Sequence, residues 1–174
     1  MKKIPKLEAE EMRLISDSGA DEPVYRISDN QVAKFEWARD WTRSFTDVSF
    51  SGKRIQNEFE VCQALYENGV SVPKPYGVFR LRQPKEEAGP LFRMRFPAFV
   101  MDYLDGSVPH PKYLKPEVQE KVEELVKIER DKVRDLGFIT DDSMGWENTI
   151  WVPSMEKIFL IDFSRWQLPG SNQK

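Results

Sequence analysis

The side chains best placed to do chemistry lie in the last third of the chain. Thr140-Asp141-Asp142-Ser143-Met144-Gly145-Trp146-Glu147-Asn148 is a polar loop, and the apolar run Thr149-Ile150-Trp151-Val152 follows it. After a turn, Ile158-Phe159-Leu160-Ile161 leads into Asp162-Phe163-Ser164. Asn148 and Asp162 each sit at the end of an apolar strand, where a polar oxygen can point out of the core. Magnesium prefers such hard oxygens and takes few ligands from protein. Asp142 could accept or orient a proton, whereas Ser143 cannot act as an unassisted base at neutral pH. The plain alternative for Asn148 and Asp162 is a turn-stabilising role.

Two further charges lie upstream. In Gln31-Val32-Ala33-Lys34-Phe35, strand alternation puts Val32 and Lys34 on one side and Ala33 and Phe35 on the other. A strand lysine is usually a surface residue. If Lys34 turns inward it needs a counter-charge. Glu58 is the favoured source, with Glu60 as the alternative on a different helix face.

The elements that must position these groups follow from periodicity. Residues 13–35 read as short strands, with Val24–Ile27 and Gln31–Phe35 flanking the turn Ser28-Asp29-Asn30. Residues 36–52, with Trp37, Trp41 and Phe45, read as an irregular insert with a small apolar face. Ile55, Phe59, Cys62 and Leu65 mark one face of a helix over 55–68, which Gly69 ends. The prolines of Val72-Pro73-Lys74-Pro75 enforce an extended segment. Residues 76–81 and 92–101 read as strands joined by an exposed polar loop. Asp105-Gly106-Ser107-Val108-Pro109 reads as a linker. A long helix then runs from Pro116 to Leu136, with Val118, Val122, Leu125, Val133 and Leu136 on its apolar face. Its charge run reads as a solvated face with intrahelical pairs. A hairpin of 149–152 and 158–162 closes the order.

Composition narrows the function classes. The 174 residues suffice for one domain or two small lobes, and 40% hydrophobic with 32% charged residues is ordinary for a folded soluble protein. A net charge of −3 with scattered basic residues gives no field for nucleic acid. One cysteine excludes an intramolecular disulfide, and Cys62 reads as a core residue. The one histidine, His110, excludes multi-histidine zinc sites and reads as a loop residue between prolines. The charged N-terminus has no apolar signal region, and no apolar run is long enough to span a bilayer. The expectation is a cytoplasmic, intracellular protein without a membrane partner.

Taken together, the acidic loop, Asn148 and Asp162-Phe163-Ser164 resemble the catalytic loop and metal-binding hairpin of the protein kinase-like superfamily. Val32-Ala33-Lys34 resembles the strand whose lysine pairs with nucleotide phosphates. Asn57–Leu65 with the following Gly-Val-Ser-Val-Pro-Lys-Pro closely resembles the helix and loop of RIO kinases and aminoglycoside phosphotransferases, with Glu58 in register with their salt-bridge glutamate. Ala98–Gly106 resembles the strand into the hinge, where backbone groups from Asp102 to Leu104 would bond an adenine edge. The resemblance implies an α+β, two-lobed kinase-like fold. It would have a five-stranded antiparallel N-lobe over 1–104 and a truncated C-lobe over 105–174. It also implies ATP and magnesium as cofactors, with Asn148 and Asp162 on the metal and Gly19 in a phosphate loop.

The pattern departs from the family at the reacting position. Five residues before Asn148, where the family has its catalytic Asp, stands Ser143; Asp142 is one residue earlier. The usual preceding histidine is absent, Ser164 replaces the last Gly of Asp-Phe-Gly, and Gly19 is alone in the phosphate loop. Two readings follow. One is a minimal atypical phosphotransferase, with Asp142 as catalytic residue and a protein or small-molecule hydroxyl as acceptor. The other is a pseudokinase that binds nucleotide or acts as a scaffold. An unrelated α+β domain is a third reading.

Overall fold

Alternation decides the first half of the molecule. A computed structural model describes residues 4–9, 11–16, 23–35, 52–82, 95–140 and 146–171. Five strands, β1 Arg13–Ser16, β2 Val24–Arg26, β3 Gln31–Phe35, β4 Pro75–Arg82 and β5 Arg95–Asp102, form one antiparallel sheet in the order β1-β2-β3-β5-β4. On one face Tyr25, Ala33, Phe35, Leu81, Phe96, Ala98 and Val100 form a buried cluster. On the other face Lys34 stands opposite Phe99 in the β3–β5 ladder. Helix α1, Lys53–Glu67, covers that second face, and its Phe59 ring meets Phe99 edge-on at 5.9 Å between centroids.

Helix α1 ends as its sequence foretells. Gly69 has φ +74, and the Val70 N–H bonds back to the Leu65 carbonyl at 3.1 Å. That closure needs a left-handed residue, which glycine supplies without a Cβ penalty.

The chain forms two compact units: residues 1–59 with 75–103, and residues 60–74 with 104–174. Helix α1 begins in the first and finishes in the second. The second unit contains helix α2, Pro116–Asp135, and the hairpin of β6, Thr149–Val152, with β7, Lys157–Leu160. Helix α2 packs against β7. Buried Val61, Cys62, Leu65, Val122, Val126, Val133, Trp151, Ile158, Leu160, Phe163 and Trp166 supply its apolar interior. This α+β order, a five-stranded antiparallel sheet with one helix followed by a helix-and-hairpin unit, is compatible with a small kinase-like fold.

Three features differ from the sequence reading. First, residues 5–7 run along the outer edge of β4. The Arg80 N–H donates to the Pro5 carbonyl at 2.8 Å, and the Leu7 N–H donates to the Arg80 carbonyl at 3.2 Å. An otherwise open strand edge is thereby covered. Second, the 105–109 segment is tied down rather than free. Ser107 exchanges two backbone hydrogen bonds with Trp151, and a Cβ on Gly106 would lie 2.3 Å from the Trp151 carbonyl oxygen. Only glycine fits there. Third, the charge run of α2 is not all solvated: Glu129 is buried and Arg130 is half-buried.

Gly19, residues 36–51 with Trp37, Trp41 and Phe45, residues 83–94, and Asp141, Asp142, Ser143 and Gly145 lie outside the described residues. No helix among the described residues is long and apolar enough to cross a membrane.

Candidate functional site

In the first unit the site begins with Lys34. Its place on the α1 side of β3 turns the ammonium away from water, and the Lys34 Nζ lies 2.7 Å from Glu58 Oε1. The side chains are only 8% and 1% exposed. Glu58 is the partner, while Glu60 is exposed. The pair joins β3 to α1 across 24 residues of sequence. Two ions taken from water recover little net stability from each other, yet removing either alone takes from a buried charge its close counter-ion. Such a pair is a poor choice for holding a sheet to a helix. It is a good choice for keeping a lysine charged in an apolar wall.

At the end of β5, Asp102 is the last rung opposite Gln31. Its carboxylate Oδ1 accepts the Tyr76 hydroxyl at 2.7 Å. The next residue, Tyr103, donates its N–H to the Asn30 carbonyl at 2.9 Å. The Leu104 carbonyl accepts the Gly106 N–H at 2.9 Å, which turns the chain after the strand.

In the second unit the β6–β7 register sets the positions of the two oxygen donors. Thr149 pairs with Leu160, and the Ile161 N–H continues the ladder to the Asn148 carbonyl at 2.9 Å. Asn148 and Asp162 therefore flank one open end of the hairpin. Asp162 is exposed, has φ +63, and accepts the Ser164 hydroxyl on Oδ1 at 3.0 Å. A left-handed conformation is unfavourable for a non-glycine residue, and such strain tends to collect at functional positions. Immediately after it, Phe163 and Trp166 are buried with ring centroids 5.1 Å apart and anchor the segment. Gln167 exchanges two backbone bonds with Ile139, two residues before Asp141 in the sequence.

These donors suit magnesium: one amide and one carboxylate, both hard oxygen groups, at a strand terminus. Among the described residues no three His, Cys, Asp or Glu side chains converge as a cage. A magnesium ion that completes its shell with water and phosphate needs no such cage. Asp142 and Gly19 fall outside the described residues.

Some well-placed groups have weak sequence signals. Glu129 lies on the apolar stripe of α2, three residues after Val126 and four before Val133. That is the one hint that it faces inward. It accepts the Ser71 N–H at 2.9 Å, the Ser71 hydroxyl at 3.0 Å and Lys132 Nζ at 2.8 Å. Arg26 lies against the Tyr103 ring, 4.2 Å from its centroid. Only the folded register brings those two together. His110 caps a short 3-10 turn, its Nδ1 accepting the Lys112 N–H at 3.2 Å.

No protein-family model matches the chain, and no curated protein matches it by sequence. Among solved structures, the 2.2 Å crystal structure of WbdD matches with a TM-score of 0.59, covering 94% of this chain at 13% sequence identity. The chain spans 34% of the length of that WbdD chain. At so low an identity the likeness is one of fold, carried by most of this chain and by about a third of WbdD.

Proposed function

We propose that the chain is a minimal, atypical phosphotransferase that uses ATP with magnesium and transfers to a hydroxyl of a protein or small molecule. The observation that carries the reading is the buried Lys34–Glu58 pair at 2.7 Å. A lysine held charged on the apolar face of a sheet is an arrangement that anion binding needs and packing does not. Phosphoryl transfer asks a protein mainly to position phosphates and neutralise developing charge. In this reading Lys34 meets phosphate oxygens, and Glu58 fixes and neutralises it. Asn148 and Asp162 would hold the metal, which would supply positive charge to neutralise the phosphates. Backbone groups of Asp102 and Leu104 meet the base, Gly19 belongs to the phosphate loop, and Asp142 orients or deprotonates the acceptor.

Ser143 at the family's catalytic register favours a second reading, nucleotide binding without transfer. Thermal melting with ATP, with and without magnesium, tests what the two share. At about ten times Kd, binding to the native state alone should raise Tm by about 3–6 °C. Asp162→Ala should lose the magnesium-dependent part. A wild type whose Tm does not move removes both readings. Turnover then separates them. Asp142→Asn should lower phosphoryl transfer about 10²-fold or more while melting as wild type does. Binding without turnover in either protein leaves the pseudokinase.

A further inference from the structure

Three contacts converge where β2 turns into β3 and touches the end of β5. Arg26, the last residue of β2, donates from Nε to the Ser28 carbonyl at 3.1 Å and from Nη2 to the Asp29 carbonyl at 2.7 Å. Both carbonyls belong to the connecting turn, so the guanidinium plane is fixed. That plane lies on the Tyr103 ring, with Arg26 Cζ 4.2 Å from its centroid. The Tyr103 N–H closes the arrangement on Asn30, the next residue of the same turn.

The register shows what this holds in place. The Tyr103 N–H reaches the residue before Gln31, so Asp102 and Gln31 form a non-hydrogen-bonded pair. The Asp102 carbonyl therefore points away from β3. It lies on the side where the β4 ladder has run out, at Pro75 opposite Met101. The Tyr76–Asp102 hydrogen bond braces the same residue from β4. An outward carbonyl at the end of a strand can discriminate a base only if its direction is fixed before the base arrives.

We infer that Arg26 is a positioning residue, which through the Tyr103 ring fixes the backbone edge at Asp102–Leu104 for an adenine base. The inference rests on the nucleotide reading above. It assigns to a strand arginine a role in base recognition rather than in phosphate binding. Arginine suits it because a planar fork can serve two carbonyls and an aromatic face together, which lysine cannot.

The test compares MgATP with magnesium tripolyphosphate, which carries the phosphates without a base, by calorimetric titration of the full chain. Arg26→Ala and Tyr103→Leu should each weaken ATP about tenfold and leave tripolyphosphate unchanged. The double variant should be no weaker than either single one, and Tyr103→Phe, which keeps the ring, should bind as wild type does. Equal losses for both ligands would mean that the contact only supports the fold, and would overturn the inference. So would unchanged ATP affinity in Arg26→Ala, additive losses in the double variant, or a wild type that binds tripolyphosphate as tightly as ATP. A wild type that binds neither ligand removes the nucleotide reading itself, and this inference falls with it.

Discussion

Two buried glutamates, one in each unit, show how the same side chain can serve different ends. Glu58 on α1 meets a buried lysine from β3. Glu129 on α2 meets a backbone N–H and a hydroxyl of Ser71, 58 residues away, and a lysine one turn along that is 44% exposed. The Glu129 contacts use groups that would otherwise be orphaned in the loop after α1. The same Ser71 accepts the Leu160 N–H on its carbonyl at 2.9 Å, so one residue ties the loop to both α2 and β7. Glu129 is thus a connector whose ligands have no better option. Glu58 instead faces a buried cation, which the proposed reading assigns to phosphate binding. The contrast separates a carboxylate that holds structure from one that maintains a charge.

The strongest way to break this contrast is to remove the cation. Lys34→Met should destabilise the protein by about 3–5 kcal/mol in urea unfolding, because it takes the ammonium away from the buried Glu58 carboxylate. Lys34→Met with Glu58→Leu should recover most of that loss, since apolar replacement of a whole buried pair is often neutral or better. Nucleotide binding should be absent from both variants. A double variant as unstable as the single one would make the pair structural, and the comparison would collapse.

The connector should behave otherwise. Glu129→Ala should cost about 1–3 kcal/mol, the scale of leaving buried donors unsatisfied. Glu129→Leu combined with Ser71→Ala should not recover, because the Ser71 N–H remains in the backbone whatever the side chain. ATP affinity of the folded fraction should equal that of wild type. Recovery in this double variant would put Glu129 in the same class as Glu58.

The smallest effect comes from a third carboxylate. Glu8 is exposed and bonds Arg95, whose hydrogen bond holds its carboxyl below the usual range. Its folded pKa lies below the unfolded value, so its contribution exists above the unfolded pKa and disappears as pH falls through the folded one. The urea midpoints of wild type and Glu8→Gln should differ slightly at about pH 7, less in about 1 M salt, and not at all at about pH 2. A gap that persists in acid would mean Glu8 acts through packing rather than charge.

Much of the fold was legible because its signals are local. Alternation in residues 31–35 put Lys34 opposite Phe35 in facing, and β3 has that register. The 4-3-3 spacing of Ile55, Phe59, Cys62 and Leu65 with Gly69 yields α1. The apolar runs around Asn148 and Asp162 pair as a hairpin. Each depends on the period of its own element and on the chemistry of its ends.

Other features depend on residues far apart in sequence, and composition does not encode their meeting. The alternation of Leu7-Glu8-Ala9 is too short to read as a strand, so the place of residues 5–7 along β4 was illegible until an open edge existed for them to satisfy. The segment around Gly106 looked like a linker because glycine and serine are turn formers; only the approach of Trp151 makes the missing Cβ necessary. Glu129 sits among charges, and burial became favourable only when Ser71 supplied two donors. The sequence by itself determined the elements, their order and the types of group available for chemistry. Tertiary structure decided which charges are buried and with whom. The free energy of a buried polar group is set by partners that chain proximity does not supply.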